Sequence, residues 1–373
     1  MKKIQMLDLS GQYHPIRKEI DDAIQAVINS GEFINGAEVN AFAEDLAAYT
    51  GAQHVVPCGN CTDALQISLM AAGLRAGDEV ILPAFSYIAA AEAASLLGLT
   101  PVWVDVNTDT CNIRVEEIQA AITPKTKAII PVHLFGQAAD MEPLLQIAAA
   151  HRLFVIEDAA QSIGSLYAFS NGEKKQCGTM GNTGCLSFFP SKNLACFGDG
   201  GAILTNDAAC AKRLKMIASH GQSVKYRHEI TGCNSRLDTL QAAILRVTLK
   251  HLDAYNAARR HVARFYHQHL AELHEHLTLP VAKAFSTHIY HQYTLQVHNG
   301  KRDALKSYLQ QKAIPSMIYY PLSLPEQAVY AGQAACTPAA KKLAASVLSL
   351  PIHTEMDEEQ LTYITTQIKT FFA

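Results

Sequence analysis

Residues 54–83, HVVPCGNCTDALQISLMAAGLRAGDEVILP, carry the pattern that decides the fold. Residues 54–57 form a short apolar run, residues 62–72 have helical character, and residues 79–83 form a second apolar run. A strand, a helix and a strand in this order indicate a parallel sheet, because parallel strands need a crossover connection. The stretch therefore predicts an α/β domain.

The same alternation continues on both sides of this stretch. We predict helices at 16–30, 37–49, 88–97, 115–122 and 141–151. We predict strands at 101–106, 128–132, 154–156, 185–189 and 202–205. Short β-branched runs separated by helices predict a large domain with a mostly parallel central sheet.

The pattern changes towards the carboxyl end of the chain. Apolar periodicity predicts one long helix over 237–266, which we expect to lead from the large domain into a smaller one. One strand-like run at 290–297, helices at 302–312 and 357–372 and a proline-punctuated loop at 319–325 follow. We predict that residues 1–245 form an N-terminal segment and the large domain, and residues 246–373 a small α+β domain.

Composition excludes several classes of protein. The 373 residues have a formal net charge of -3, and the basic residues are scattered, so we expect no nucleic-acid partner. The longest apolar stretch, 88–104, contains Glu92 and Pro101, so we expect no membrane span. The first seven residues lack the apolar core of a secretory signal.

The nine cysteines have no regular spacing, which favours a reduced, cytoplasmic protein over a disulfide framework. Cys58 and Cys61 form a CxxC pair, but no second pair stands at zinc spacing, so structural thiols are favoured over redox or metal roles. The histidines offer no predicted metal site, since the close pairs lie two residues apart on different helix faces. His133 and His220 fit structural roles better than catalytic ones.

Polar residues that follow apolar strands are the first candidates for a site, because open parallel sheets bind ligands beyond the carboxyl ends of their strands. Four places qualify, and they contain Asn60, Cys61, Thr62 and Asp63; Tyr87; Asp158 and Gln161; and Ser187 and Lys192.

The first place opens a helix, where free N–H groups attract a phosphate. It has neither a GxxxxGK[ST] nor a GxGxxG motif, so no nucleoside triphosphate or dinucleotide is indicated. Asn60 and Thr62 fit a helix cap as well as a ligand site.

A carboxylate and a lysine suggest the chemistry of the other places. Asp158 follows an apolar strand, where it needs a partner such as a protonated ring nitrogen, although it could also cap a following helix. Lys192 follows another apolar strand, and desolvation there would make its amine a nucleophile towards an aldehyde. The alternative is an ordinary solvated lysine.

Together these residues resemble the nucleotide-sugar aminotransferases of the DegT/DnrJ/EryC1/StrS family. The resemblance runs from residue 6 to near residue 351. Its motifs are FINGAEV (33–39), GNCTDALQ (59–66), PAFSYIA (83–89), PVHLFGQ (131–137), EDAAQS (157–162), SFFPSKNL (187–194), GDGGAI (198–203) and NSRLDTLQAAIL (234–245). It implies the fold type I architecture of aspartate aminotransferase and pyridoxal 5′-phosphate (PLP) as cofactor, with pyridoxamine phosphate as an intermediate form.

The resemblance also implies roles for individual residues. Lys192 forms a Schiff base with PLP, Asp158 pairs with the pyridine nitrogen, Gln161 lies near the ring hydroxyl, and Tyr87 stacks on the ring. The phosphate site comprises Asn60, Cys61, Thr62, Asp63 through its backbone, and Ser187, with Asn234 reaching it from the second subunit of a homodimer. Cys61 departs from the glycine that relatives usually have.

Within the family, the motif sequences resemble those of enzymes that aminate the 3-keto group of a UDP-N-acetylhexosaminuronic acid. This resemblance implies glutamate as the amino donor and a role in amino-sugar or O-antigen biosynthesis. Tyr319 and Tyr320 stand where those enzymes have His-Tyr, and we expect both to contact substrate. Arg236 could face a substrate anion or pair with Asp238.

Three other functions stay open at this point. They are amination of a nucleotide-linked 3- or 4-keto-6-deoxyhexose, a sugar 3-dehydratase, and a regulator that binds the cofactor without turnover. The dehydratase is disfavoured, because such relatives carry histidine in place of the lysine.

Overall fold

The computed structural model describes residues 2–333 and 335–373. Its α-helices are α1 (Leu9–Tyr13), α2 (Arg17–Ser30), α3 (Ala37–Thr50), α4 (Cys61–Ala71), α5 (Ala89–Leu96), α6 (Val115–Ala121), α7 (Met141–His151), α8 (Ala208–Ala218), α9 (Thr239–Leu249), α10 (Leu252–Leu270), α11 (Arg302–Gln311), α12 (Pro338–Ser346) and α13 (Glu358–Phe372).

The strands are β1 (His54–Cys58), β2 (Glu79–Pro83), β3 (Thr100–Val104), β4 (Thr126–Ile129), β5 (Phe154–Asp158), β6 (Leu166–Ala168), β7 (Lys174–Gln176), β8 (Thr183–Ser187), β9 (Gly201–Thr205), β10 (Gln222–Val224), β11 (Arg227–His228), β12 (Leu277–Thr278), β13 (Tyr293–Val297) and β14 (Val347–Leu350). The helix α8 and the strand β14 are elements that the sequence patterns did not single out.

The central sheet has seven strands in the order β1-β9-β8-β5-β4-β2-β3. Strand β9 is antiparallel to both β1 and β8, and the other neighbouring pairs are parallel. Since β1 and β8 both oppose β9, all strands except β9 point the same way. The predicted α/β fold with a mostly parallel sheet is confirmed.

The strands of this sheet are apolar because helices cover both faces. All residues of β9 are buried, and so are the first four of β8. One core cluster contains Phe42 and Phe188, whose rings meet edge to face at 5.4 Å, and the other contains Leu65 and Ile203. Two apolar layers therefore hold the sheet between them and fix its carboxyl edge.

The carboxyl-terminal part of the chain builds a second core. Strands β12, β13 and β14 form an antiparallel sheet, and residues of α10, α11 and α13 pack with it. Ile4 from the start of the chain belongs to the same cluster. The predicted division between residues 245 and 246 falls inside α9 and stays a prediction.

The prediction of one long helix over 237–266 is wrong. The structure has two helices, α9 and α10, separated by Lys250 and His251. The Thr248 hydroxyl lies 3.2 Å from the carbonyl oxygens of both Ile244 and Leu245. Such back-bonding bends a helix, and the N–H groups of Lys250 and His251 accordingly bond three residues back, in a tighter turn.

A buried carboxylate ties the two parts of the chain together. Asp105, which follows β3, accepts hydrogen bonds from the backbone N–H groups of Val106, Ala339 and Ala340. Ala339 and Ala340 lie in the first turn of α12, where N–H groups have no partner within the helix. Among the described residues, no helix is both long and apolar enough to cross a membrane.

Candidate active site

Several polar side chains stand at the carboxyl edge of the central sheet. Strand β5 ends at Asp158 and β8 ends at Ser187, two neighbouring parallel strands. Strand β1 ends at Cys58, and Asn60 then opens α4. Because these strands share a direction, their ends bring the candidates of the sequence to one edge.

Asp158 is buried, with 7% of its surface exposed. Its Oδ1 accepts a hydrogen bond from the Ala160 N–H at 3.1 Å. Burial raises the pKa of this carboxyl, and the Ala160 N–H and the Lys192 charge partly oppose that rise. A turn follows Asp158 and no helix begins in residues 159–163, so the helix-cap interpretation is wrong.

Lys192 is half-buried in the loop after β8, and its backbone N–H donates to the Phe189 carbonyl at 2.8 Å. Burial lowers the pKa of its amine, while the neighbouring Cys61 and Asp158 act in the opposite direction. The amine and the Asp158 carboxylate are thus electrostatic neighbours. A desolvated amine spends more time unprotonated, which is the form that attacks a carbonyl carbon.

The turn before α4 combines a cap with a possible phosphate site. Asn60 Oδ1 accepts the Asp63 N–H at 2.8 Å and so acts as a helix cap. The Asp63 N–H, which the resemblance assigns to the cofactor phosphate, therefore has an acceptor in this structure. The N–H groups of Cys61 and Thr62 and the Thr62 hydroxyl are the donors that this end of α4 offers to an anion.

Glycine at position 201 lets strand β9 pass directly against this turn. A Cβ atom on Gly201 would lie 2.5 Å from the Asn60 carbonyl carbon and 2.9 Å from the Cys61 nitrogen. Both are backbone atoms that cannot move aside easily. The last glycine of the GDGGAI motif is therefore explained by the close approach of two backbones beside the site.

Ser235 is a residue that the sequence did not single out. Its hydroxyl accepts the Gly59 N–H at 2.9 Å and donates to Asp63 Oδ2 at 2.6 Å. The Asp63 side chain thereby holds the loop that contains Asn234 and Arg236 against the turn before α4. The position of Ser235 within the NSRLD motif was the signal that could have identified it.

The two neighbours of Ser235 are differently placed. Asn234 is exposed, and Arg236 is half-buried. Within residues 2–333 and 335–373, no ion pair of 4.0 Å or less joins Arg236 to Asp238, which instead precedes α9 as its N-terminal flanking residue. The structural ion pair is therefore not present, and a ligand-facing role for Arg236 stays a prediction.

Gln161 links the site to the carboxyl-terminal part of the chain. Its Oε1 accepts the Phe135 N–H at 2.8 Å, and its Nε2 donates to the Tyr320 hydroxyl at 3.2 Å. The Tyr320 ring lies 6.1 Å from that of Tyr87, centroid to centroid, and Tyr87 is 58% exposed. Tyr319 adjoins this group and is half-buried.

These features suit a carbonyl cofactor that carries a ring nitrogen and a phosphate. The Asp158 carboxylate is buried in a way that calls for a cationic partner, Lys192 has a lowered pKa, and α4 presents donors to an anion. Fold and site together define the class of PLP-dependent enzymes with the aspartate aminotransferase architecture.

Comparison with known proteins identifies the family. The sequence profile of the DegT/DnrJ/EryC1/StrS aminotransferase family matches residues 14–369. The chain therefore belongs to this family, whose aminotransferases depend on PLP. The crystal structure of S. venezuelae DesV in complex with a ketimine intermediate superposes with a TM-score of 0.94, at 38% identity and with 100% of this chain and 99% of that chain covered.

Three relatives match almost end to end. A "UDP-N-acetyl-3-dehydro-alpha-D-glucosamine 3-aminotranferase" of Acidithiobacillus ferrooxidans is 45% identical, covering 98% of this chain and 97% of its own. A "Pleiotropic regulatory protein" of Geobacillus stearothermophilus is 44% identical, covering 99% and 98%. A "UDP-2-acetamido-2-deoxy-3-oxo-D-glucuronate aminotransferase" of Pseudomonas aeruginosa is 42% identical, covering 97% and 98%.

The two interpretations of Asn60 predict different outcomes for two substitutions. If Asn60 acts only as a cap, Asn60→Ala should lower the free energy of unfolding by about 1 kcal/mol, and Asn60→Ser should retain most of the wild-type stability. The affinity for PLP should then follow the same order, with the serine variant close to wild type. Thermal unfolding and PLP titration check this, and equally weakened PLP binding in both variants would show that the Asn60 amide itself binds the cofactor.

Proposed function

We propose that the protein transfers the amino group of glutamate to the 3-keto group of a UDP-linked 2-acetamido sugar. The observation that carries this is that a buried Asp158 at the end of β5 and Lys192 in the loop after β8 influence each other electrostatically, in a chain similar to aminotransferases for such sugars. The product is an amino sugar suited to surface polysaccharide or O-antigen biosynthesis.

The chain supplies binding and proton transfer. When bound, PLP supplies an electron sink for the charge left at the amino-acid Cα. Lys192 would hold the cofactor covalently, and its Nζ, once displaced by the amino donor, would take the proton that leaves Cα and return it at the cofactor's C4′. The lowered pKa of Lys192 supports this role, since the unprotonated amine is the base.

The other residues would hold the cofactor in place. Asp158 would keep the proton on the ring nitrogen, Gln161 would lie beside the ring hydroxyl, and Tyr87 would cover the ring. The phosphate would be held by N–H and hydroxyl donors at the N-terminal end of α4 and by the Ser187 hydroxyl at the end of β8. On the substrate side, Tyr319 and Tyr320 would contact the sugar.

The size of the Asp158 contribution follows from its charge. Two opposite charges at ~4 Å attract by about 4 kcal/mol at an effective dielectric of 20, enough to keep a pyridinium protonated at neutral pH. A neutral amide of the same shape cannot supply this attraction.

Replacing Asp158 by Asn should therefore leave the fold intact and reduce turnover by up to about a thousandfold. The assay is formation of 2-oxoglutarate from glutamate in the presence of a panel of nucleotide-linked keto-sugars, with circular dichroism as the check on folding. Near-normal turnover by Asp158→Asn would contradict the electron-sink role.

The same assay decides between catalysis and regulation. The relative described as a pleiotropic regulatory protein keeps open a role in which the chain binds PLP without turnover. A protein that binds PLP but forms no 2-oxoglutarate with any keto-sugar would support that second function. Preference for a dTDP-linked keto-6-deoxyhexose would instead identify the alternative substrate class, the nucleotide-linked keto-6-deoxyhexoses.

Arg236 provides a test of the sugar itself. If Arg236 contacts a uronate carboxylate, Arg236→Leu should reduce kcat/KM more for a UDP-3-oxo-uronate than for the matching neutral hexose. The difference should correspond to about 1.5–3 kcal/mol of transition-state free energy. The neutral hexose is the control within the same variant. Equal losses for both substrates would remove the carboxylate role.

We also propose that the active site is shared between two chains of a homodimer. Asn234 is exposed, next to a loop whose position Ser235 fixes, so its amide is available to a second chain. An interaction between Asn234 and its own chain's cofactor is the alternative.

The nine unpaired thiols are compatible with a cytoplasmic enzyme.

Mixing an inactive Lys192→Ala chain with an impaired Asn234→Ala chain separates these possibilities. When Lys192→Ala and Asn234→Ala chains exchange subunits, a shared site combines Lys192 from one chain with Asn234 from the other and is intact. Activity at low PLP should then exceed that of either parent, because Asn234→Ala alone weakens cofactor binding by roughly 1.5–3 kcal/mol. With exchange confirmed by mass spectrometry, activity at the average of the parents would contradict the shared site and show that Asn234 acts within its own chain or not at all.

A further inference from the structure

Glu157 is a fully buried carboxylate that takes no part in the proposed reaction. Its Oε2 lies 2.8 Å from His133 Nε2 and accepts the Gly178 N–H at 2.8 Å. Its Oε1 accepts the N–H groups of Met180 and Gly181, both at 2.6 Å. Four donors occupy the four lone-pair positions of the carboxylate, so the arrangement is built for the ionised form.

His133 is the only side chain among these four donors, and it is also fully buried. Its Nδ1 accepts the Ala139 N–H at 3.0 Å, so Nδ1 carries no proton. The proton of the neutral ring is therefore on Nε2, where it is donated to Glu157. Both ring nitrogens are used, and the ring orientation is fixed.

The backbone around His133 runs beside strand β5, and Val132 forms a parallel bridge with Asp158. Its N–H donates to the Asp158 carbonyl at 3.0 Å, and the Asp158 N–H donates to the Pro131 carbonyl at 2.9 Å. Neighbouring side chains of a strand point to opposite faces, so Glu157 lies behind the sheet edge while Asp158 faces the site. One histidine thus connects the buried anion to the backbone of the residue that would pair with the ring nitrogen.

The same loop also fixes Gln161. Phe135, two residues after His133, donates its N–H to Gln161 Oε1, and this orients the amide so that Nε2 meets Tyr320. Phe135 has a φ of 58° and Gly136 a φ of 101°. Positive φ is unfavourable for a residue other than glycine, so the Phe135 conformation must be stabilised by contacts from the surrounding structure. The link from Ala139 through His133 to Glu157 provides that support across the base of the loop.

We propose that Glu157 and His133 are positioning residues for the cofactor. Neither touches the reacting atoms. The pair holds Asp158 and Gln161 at the separation and orientation that PLP requires, and its loss would loosen the cofactor ring more than it would unfold the chain. This inference rests on the proposed function, because it assumes that Asp158 and Gln161 face PLP.

Glu157→Gln is the direct test, and Asp105→Asn is the matched control. Both substitutions turn a buried carboxylate that accepts three backbone N–H groups into an amide. Only Glu157 is connected to Asp158. The amide introduced by Glu157→Gln would place its NH2 group against the N–H groups of Gly178 or His133, which are also donors, and force the loop to move.

The full-length protein, freed of cofactor, would be titrated with pyridoxal 5′-phosphate, and the circular dichroism of the bound cofactor in the visible region would report its ring orientation. We expect Glu157→Gln to bind PLP about tenfold more weakly than wild type and to show reduced visible dichroism when saturated. Asp105→Asn should lower the unfolding temperature but keep both cofactor properties. Equal effects of the two variants on the cofactor would overturn the proposal.

Two substitutions at His133 keep the test decisive if Glu157→Gln does not fold. His133→Gln can still donate from Nε2 to Glu157, whereas His133→Asn can only accept from Ala139. Visible dichroism and PLP affinity should be better preserved in His133→Gln. The reverse order would contradict the role of the Glu157 contact. Failure of the wild-type protein to bind PLP would instead refute the proposed function.

Discussion

Desolvation of opposite charges at the ends of two neighbouring strands is the constraint on which the site depends. Strands β5 and β8 bring Asp158 to the edge of the sheet and Lys192 into the loop just beyond it, where burial raises the pKa of the carboxyl and lowers that of the amine. Each shift favours a neutral group, and each is partly offset by the other group's charge. A cofactor with a cationic ring and an aldehyde satisfies both groups at once.

The surrounding structure serves mainly to bring backbones close together at this edge. Gly201 allows β9 to approach the turn before α4, and Ser235 ties a loop from far along the chain to Gly59 and Asp63. On the other side, the loop that contains Phe135 is connected to Gln161 in front of the sheet and, through His133, to Glu157 behind it. The residues proposed to bind PLP are therefore held by contacts from three separate segments, which suits a site that must be rigid before the cofactor enters.

The sequence predicted the sheet and most helices because apolar strands alternate with helical stretches over the first two hundred residues. It also made Lys192 and Asp158 candidates for the site, because each charged residue follows an apolar run. It missed the break between α9 and α10, since the Thr248 hydroxyl bonds to backbone carbonyls that periodicity does not report. It left open whether Asn60 caps α4, because only coordinates show that Asn60 accepts the Asp63 N–H, and it gave no sign that Ser235 joins two distant segments.

The central claim is that Lys192 holds the cofactor, and one chemical measurement tests it directly. The protein purified with PLP is treated with borohydride, digested and analysed by mass spectrometry, with Lys192→Ala as the control. If Lys192 holds PLP, the reduced phosphopyridoxyl group will be found on a single peptide, the one that contains Lys192, and the variant will carry no label there. Labelling of a different lysine in the wild-type protein would contradict the account.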